Sequence, residues 1–140
     1  SKDLPHEEDQ WITAIRALMS VAEGAYSLAI LTRNAIYAVR DPRGVRPLSL
    51  AEFETGWAVA SETCAFGTIG ARTIREVKPG EIVRIDKRGL TSFPGVDPER
   101  KALCVFEYVY LARPDSDIEG KSVHAVRFEL GPGPIRPLRP

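Results

Sequence analysis

Apolar residues in the first part of the chain recur with a helical period. Trp11, Ile15, Leu18 and Ala22 form one stripe, flanked by Ile12 and Met19, which predicts a helix over Glu7–Glu23. Glu7, Glu8 and Asp9 suit the positive N-terminal end of that helix, and Gly24 supplies a stop. Beyond Gly24 the pattern changes to alternation. In "AYSLAILT", Tyr26, Leu28 and Ile30 alternate with Ala29 and Leu31, so the strand is apolar on both faces and is expected to be covered on both sides. Arg33-Asn34 reads as a hairpin turn into the strand "AIYAVR", and "WAVAS" as another two-faced apolar strand with small alanines on one side.

The second half continues in short pieces. "SETCAFGTIG" predicts a short helix, with Ser61 as its cap, Glu62 in the first turn and Gly70 as the stop. "REVKPGEIVRIDKRGLTSF" reads as three strands separated by turns at Pro79-Gly80 and Arg88-Gly89, and "PGVDPERKA" as a loop. The aromatic and β-branched run "LCVFEYVYLA" predicts another strand. Residues Ser122 to Leu130 predict a helix that runs into "GPGPIRPLRP", whose four prolines in ten residues forbid helix and central strand alike. The expected organisation is one α+β domain over residues 1–130, a layered sandwich with a mainly antiparallel sheet, followed by an irregular tail over 131–140.

Composition narrows the function classes. The length of 140 residues suits a single domain. Nineteen basic against nineteen acidic side chains leave no net charge, which argues against nucleic acid or an anionic membrane as the main partner. No apolar run approaches the roughly twenty residues of a membrane helix, and the start "SKDLPHEEDQW" is unlike a secretory signal. Two cysteines, Cys64 and Cys104, make neither a disulfide framework nor a CxxC metal pair, so a reducing cytoplasm is expected.

Little catalytic apparatus is visible from the residues alone. His6 and His124 have no nucleophile near them in sequence, and Cys64 reads as a buried free thiol in an apolar helix. No phosphate-binding glycine motif is present, and Glu7-Glu8 reads as a helix start. The densest polar stretch is "AVRDPRGVRPLSL", Ala38 to Leu50. Asp41-Pro42 and Arg43-Gly44 favour a tight turn there, since proline presets one backbone angle and glycine permits positive φ.

The segments "GAYSLAIL", "AVRDPRGVRPLSL", "ASETCAFGTIGA", "VKPGEIVRID" and "CVFEYVYLARPDS", in that order and spacing, resemble the glutamine phosphoribosylpyrophosphate amidotransferase (amidophosphoribosyltransferase) family from about Gly24 to Val123. The resemblance implies an αββα N-terminal-nucleophile sandwich, of which this chain matches the second half. It implies the first step of purine synthesis, in which ammonia from glutamine displaces pyrophosphate from phosphoribosyl pyrophosphate. It also implies a cytoplasmic homo-oligomer. The family's N-terminal nucleophilic cysteine and its Asn-Gly oxyanion donors have no counterpart: the chain starts Ser1-Lys2, and its asparagine, Asn34, precedes Ala35. No catalytic residue is therefore expected, and the isolated chain is expected to be inactive.

Arg40, Asp41, Arg43, Gly44, Arg46, Ser61 and Glu62 fall on motif loops expected to support the site, bracing the sheet ends through arginine–carboxylate bonds and a fixed turn. Cys104 matches a position that ligates a [4Fe–4S] cluster in some members, whereas Cys64 matches a position that does not. No cofactor is expected in this chain, because the family's Mg2+ belongs to the phosphoribosyl-transferring domain. "RDPxGxRPL" by itself also fits the glutaminase domain of asparagine synthetase, and a non-catalytic scaffold or binding domain is the reading from a different class.

Overall fold

The computed structural model describes residues 6–131, with side chains from Gln10 onward. Expectations for the 131–140 tail beyond Gly131, and for the His6, Glu7, Glu8 and Asp9 side chains, lie outside the described residues. The described chain is a layered α+β structure built on two antiparallel sheets. The larger sheet has the order β1(Ser27–Leu31), β2(Ile36–Arg40), β6(Glu81–Asp86), β7(Gly89–Pro94). The smaller has the order β4(Gly56–Ala60), β3(Ser49–Phe53), β5(Arg72–Glu76).

Helix α1(His6–Val21) covers one face of the larger sheet. Its Ile12, Ile15 and Met19 are buried with Tyr37, Val39 and Ile82, and Tyr26, Leu28 and Ile30 pack against that cluster. The helix is rotated from the predicted stripe. Trp11 sits at its edge, stacked on Tyr37 at 6.3 Å, and Leu18 is exposed. Residues 12, 15 and 19 share a face because helical neighbours lie three and four positions apart.

The other face of the larger sheet packs against the smaller sheet. Pleating alternates side chains, so Ala38, Val83 and Ile85 point away from α1 and are buried with Leu48, Leu50 and Val77. Ile36, Trp57, Val59 and Leu90 close the rim of this cluster. This layer reaches β2, β6 and β7 but not β1, so one expectation is corrected. Strand β1 is an edge, and Ala29 and Leu31 on its far face are exposed rather than covered.

Strand β3 was not anticipated, since "SLAEF" is short and carries only weak alternation. It is the central strand of its sheet. By alternation Ser49 and Ala51 face away from Leu50, and both are fully buried, so this sheet is covered on its second face as well.

Two further expectations change. Short helix α2(Cys64–Thr68) begins after Thr63, not at Ser61, which is exposed. The Thr63 hydroxyl accepts from Asp117 N at 2.7 Å, so the residue at the helix start ties down a distant loop instead of capping. The second change concerns "FEYVYL", which forms no strand. Val105 and Phe106 are helical and Glu107–Leu111 is a π turn, closed by Ala112 N donating to Glu107 O at 3.0 Å. High β propensity describes fit to a pleated surface, and this segment pairs with no strand, so helical closure satisfies its backbone instead. Hairpin β8(Asp117–Ile118)–β9(Lys121–Ser122) follows, and α3(Val123–Leu130) forms as predicted, with Ser122 as its N-cap.

Candidate functional site

The chain leaves β2 at Arg40 and reverses over Asp41 to Gly44. The Asp41 carboxylate accepts from the backbone N–H groups of Arg43 at 2.9 Å and Val45 at 3.1 Å, which fixes the turn locally. Gly44 closes it at φ +61, where a Cβ would stand 2.7 Å from Pro79 Cγ. Both the positive φ and this close approach require glycine.

Arg40 is 1% exposed, and its guanidinium is consumed by the protein. Nε donates to Arg46 O at 2.9 Å, one terminal nitrogen to Gly44 O at 3.1 Å, and the other to Val77 O at 2.8 Å and to Glu76 Oε2 at 3.0 Å. A planar fork of donors with one ionic and three carbonyl acceptors locks the turn onto the end of β5. Little donor capacity is left for a ligand, so this arginine braces the loop. Glu76 passes the connection on, because its Oε1 accepts from Glu119 N in the β8–β9 hairpin. Glu119 has φ +53 and pairs with Lys101 at 2.6 Å.

Arg46 points the other way. Its Nε lies 2.9 Å from Glu107 Oε1 on the π turn, with Arg46 half exposed and Glu107 buried. Burial pushes the Glu107 carboxyl above its ordinary value; Arg46 offsets this in part and the nearby Glu62 adds to it. Glu62 Oε2 in turn accepts from Arg113 N at 2.7 Å and Ser116 Oγ at 3.1 Å, and Cys64 Sγ lies 3.8 Å away. Glu62 therefore holds the "ARPDS" loop to the segment before α2. Burial, with Asp41 nearby, also raises the Tyr26 phenol.

The structure thus joins Arg40, Asp41, Gly44 and Arg46 with Glu76 and Glu107, whereas Glu62 meets Glu107 only as a like charge and holds a separate loop, and Ser61 stays outside both. Arg43 is exposed and pairs with Glu99 at 2.7 Å. The residues that sequence reasoning missed are the acceptors Glu76 and Glu107. Their signal was available: three arginines in one turn need carboxylate partners, and both acids lie in or next to the resembling segments.

Cys104 is half buried, and its N–H donates to Val45 O at 3.1 Å. With Cys64 it makes two cysteines in the whole sequence, so the residues present do not fit a four-thiolate iron–sulfur cluster. Among the described residues no group of three or more His, Cys, Asp or Glu side chains is placed to hold a metal ion. His124 is exposed on α3. No described helix is long and apolar enough to cross a membrane.

No family model matches the chain. The amidophosphoribosyltransferase of Mycobacterium bovis is 52% identical over 114 residues, which cover 81% of this chain and 21% of that protein. Its counterpart from Rattus norvegicus is 45% identical, covering 91% of this chain and 29% of that protein. Among solved structures, the glutamine phosphoribosylpyrophosphate amidotransferase of B. subtilis, complexed with ADP and GMP, superposes with a TM-score of 0.82 at 38% identity. That match covers 93% of this chain and 28% of the other. The chain therefore spans between a fifth and a third of the length of the relatives it matches, and over that span it belongs to the amidophosphoribosyltransferase family.

Proposed function

We propose that the polypeptide to which this segment belongs is an amidophosphoribosyltransferase, which releases ammonia from glutamine and uses it to displace pyrophosphate from phosphoribosyl pyrophosphate. In this reading residues 1–130 form the second half of a glutaminase domain. The protein works in the cytoplasm as a homo-oligomer, and Mg2+ serves the phosphoribosyl-transferring part, which this chain does not match. The observation that carries the proposal is the internally satisfied network around Arg40. The motif residues shared with the family spend their charge on one another and on backbone groups, as a support for neighbouring reacting groups would.

The chemistry assigns this segment positioning and no bond-making step. Glutamine hydrolysis needs a nucleophile, a base and aimed oxyanion donors acting as a unit. Arg40, Asp41 and Glu76 would hold the sheet ends on which such groups sit, and Glu62 would hold the "ARPDS" loop.

The test is glutamate release from glutamine by the 140-residue chain, alone and co-expressed with the upstream half of a homologous glutaminase domain. The expected result is silence alone and turnover in the pair, lost on Arg40→Ala. Turnover by the chain alone that disappears in Ser1→Ala would overturn the reading, since Ser1 would then be a working nucleophile.

A further inference from the structure

Strand β1 ends the larger sheet, and its outer edge has no partner strand among the described residues. Which groups face that edge follows from its pairing with β2. Asp41 N donates to Tyr26 O at 3.0 Å and Thr32 N to Ala35 O at 2.9 Å. Between these bonds the register runs without a break from Ser27↔Arg40 to Leu31↔Ile36. Bonded and non-bonded pairs alternate in an antiparallel ladder. Leu28 and Ile30 therefore bond to β2, and the N–H and C=O groups of Ser27, Ala29 and Leu31 point outward. Exposed edges are ordinarily blunted by charge, proline or a bulge, and "SLAIL" carries none of these. The smaller sheet stops short of β1, so Ala29 and Leu31 also leave apolar side chains uncovered beside the edge.

The two ends of the strand carry opposite charges. Glu23 precedes it and Arg33 follows it; both are exposed, and neither has an ion-pair partner among the described residues. A second copy turned antiparallel about Ala29 sets the start of one strand beside the end of the other. Ser27 then faces Leu31 of the other copy, Ala29 faces Ala29, and each Arg33 lies diagonally across from a Glu23. Parallel alignment would set Glu23 beside Glu23 instead.

We propose that the free edge of β1 is a homotypic interface, through which two copies of this chain join their larger sheets about a two-fold axis at Ala29. Backbone bonds supply the attraction and the Glu23–Arg33 pairs select the antiparallel register. One patch meets itself, as a two-fold contact requires. A strand of five residues buries less than the roughly 800 Å² per partner of a standard interface, so the dimer is weak and concentration-dependent.

The test is sedimentation equilibrium of the 140-residue chain across a concentration series, with amide exchange followed by NMR at each concentration. Both are run in Phe128→Ala, to suppress association through the apolar face of α3. A monomer–dimer equilibrium is expected. The Ala29 and Leu31 amides should gain protection as the dimer fills, while Leu28 and Ile30 stay protected throughout. Ala29→Lys puts two ammonium groups face to face and should raise the dissociation constant on the order of fivefold. Glu23→Lys should weaken the dimer by about as much, and adding Arg33→Glu to it should restore the affinity. These sites are exposed, so melting of the dilute chain should not change; if Ala29→Lys fails to fold, the charge swap outside the strand decides. The pairing is overturned if no dimer forms at about 1 mM chain, if the swap does not restore affinity, or if the Ala29 and Leu31 amides are equally protected in the monomer. Protection of those amides only on co-expression with the upstream half of a homologous glutaminase domain would give the edge to another occupant, and would overturn it too.

Discussion

The two-sheet body and the C-terminal third of the described chain are held together by different forces. In the body, both faces of the larger sheet, except the far face of β1, are covered by clusters that include fully buried Val39, Ile82, Leu50 and Val83. The C-terminal third has a small cluster of Ala112, Ile118 and Val123, with Leu103 and Tyr108 beside it. Around that cluster Val105, Phe106, Val109, Leu130, Tyr110 at 80% and Phe128 at 82% are exposed. Polar bonds do the fastening there: Glu62 to Arg113 and Ser116, Glu76 to Glu119, the Tyr108 hydroxyl to Ile118 O, and Arg127 to the π turn. A region stitched by directional bonds keeps its conformation only while each donor and acceptor stays in place, whereas a sealed core tolerates surface change.

The difference can be broken most sharply at Arg40, whose buried guanidinium holds Glu76, the residue that accepts from Glu119 in the C-terminal third. Arg40→Met leaves Glu76 without its charge partner and three carbonyls without a donor. It should cost about 3–5 kcal/mol by urea denaturation. A loss under about 1 kcal/mol would show that the network is ornamental.

Next in size is a paired truncation. Leu50→Ala in the body should cost about 2–5 kcal/mol, since a cavity opens where the side chain is fully buried. Phe128→Ala on α3 should change stability by less than about 0.5 kcal/mol and should reduce self-association measured by sedimentation. Equal costs at the two sites would erase the distinction.

The smallest effect is on pH dependence. Burial would raise Glu81, but hydrogen bonds from Arg75, Ser92 and Lys78 N outweigh it and hold the carboxyl below its ordinary value. An acid depressed in the folded state contributes stability above its unfolded value and loses it as pH falls through the folded one. Acid destabilisation of the body should therefore begin in the usual glutamate range and continue below it to the folded value, and Glu81→Gln should flatten that limb of the stability curve. An unchanged limb would remove Glu81 from the account.

Much of the body was legible in the sequence because local signals and burial agree there. The helix predicted over Glu7–Glu23 and found at His6–Val21, the Pro79-Gly80 and Arg88-Gly89 turns and the strand "AIYAVR" all matched. What the sequence could not show were choices made by distant partners. Trp11 and Leu18 lost the centre of the helix face to Ile12 and Met19, because Tyr37 and Ile82 set the contact. "FEYVYL" has strand composition but no strand to pair with, so it closed on itself. The turn chemistry of Arg40, Asp41, Gly44 and Arg46 could be named from residue types, but the partners of the two arginines, Glu76 for Arg40 and Glu107 for Arg46, depend on which loops meet in space.

The central claim is that the body is self-sufficient while the C-terminal third depends on polar stitching and presents an uncovered apolar face. Native-state hydrogen exchange across the whole 140-residue chain tests it most directly. The account predicts the slowest exchange at Val39, Val83 and Leu50, and exchange through local opening at Glu107–Leu111 and in α3, with protection of the latter selectively lost in Glu62→Gln. Uniform protection from α1 to α3, insensitive to Glu62→Gln, would contradict it.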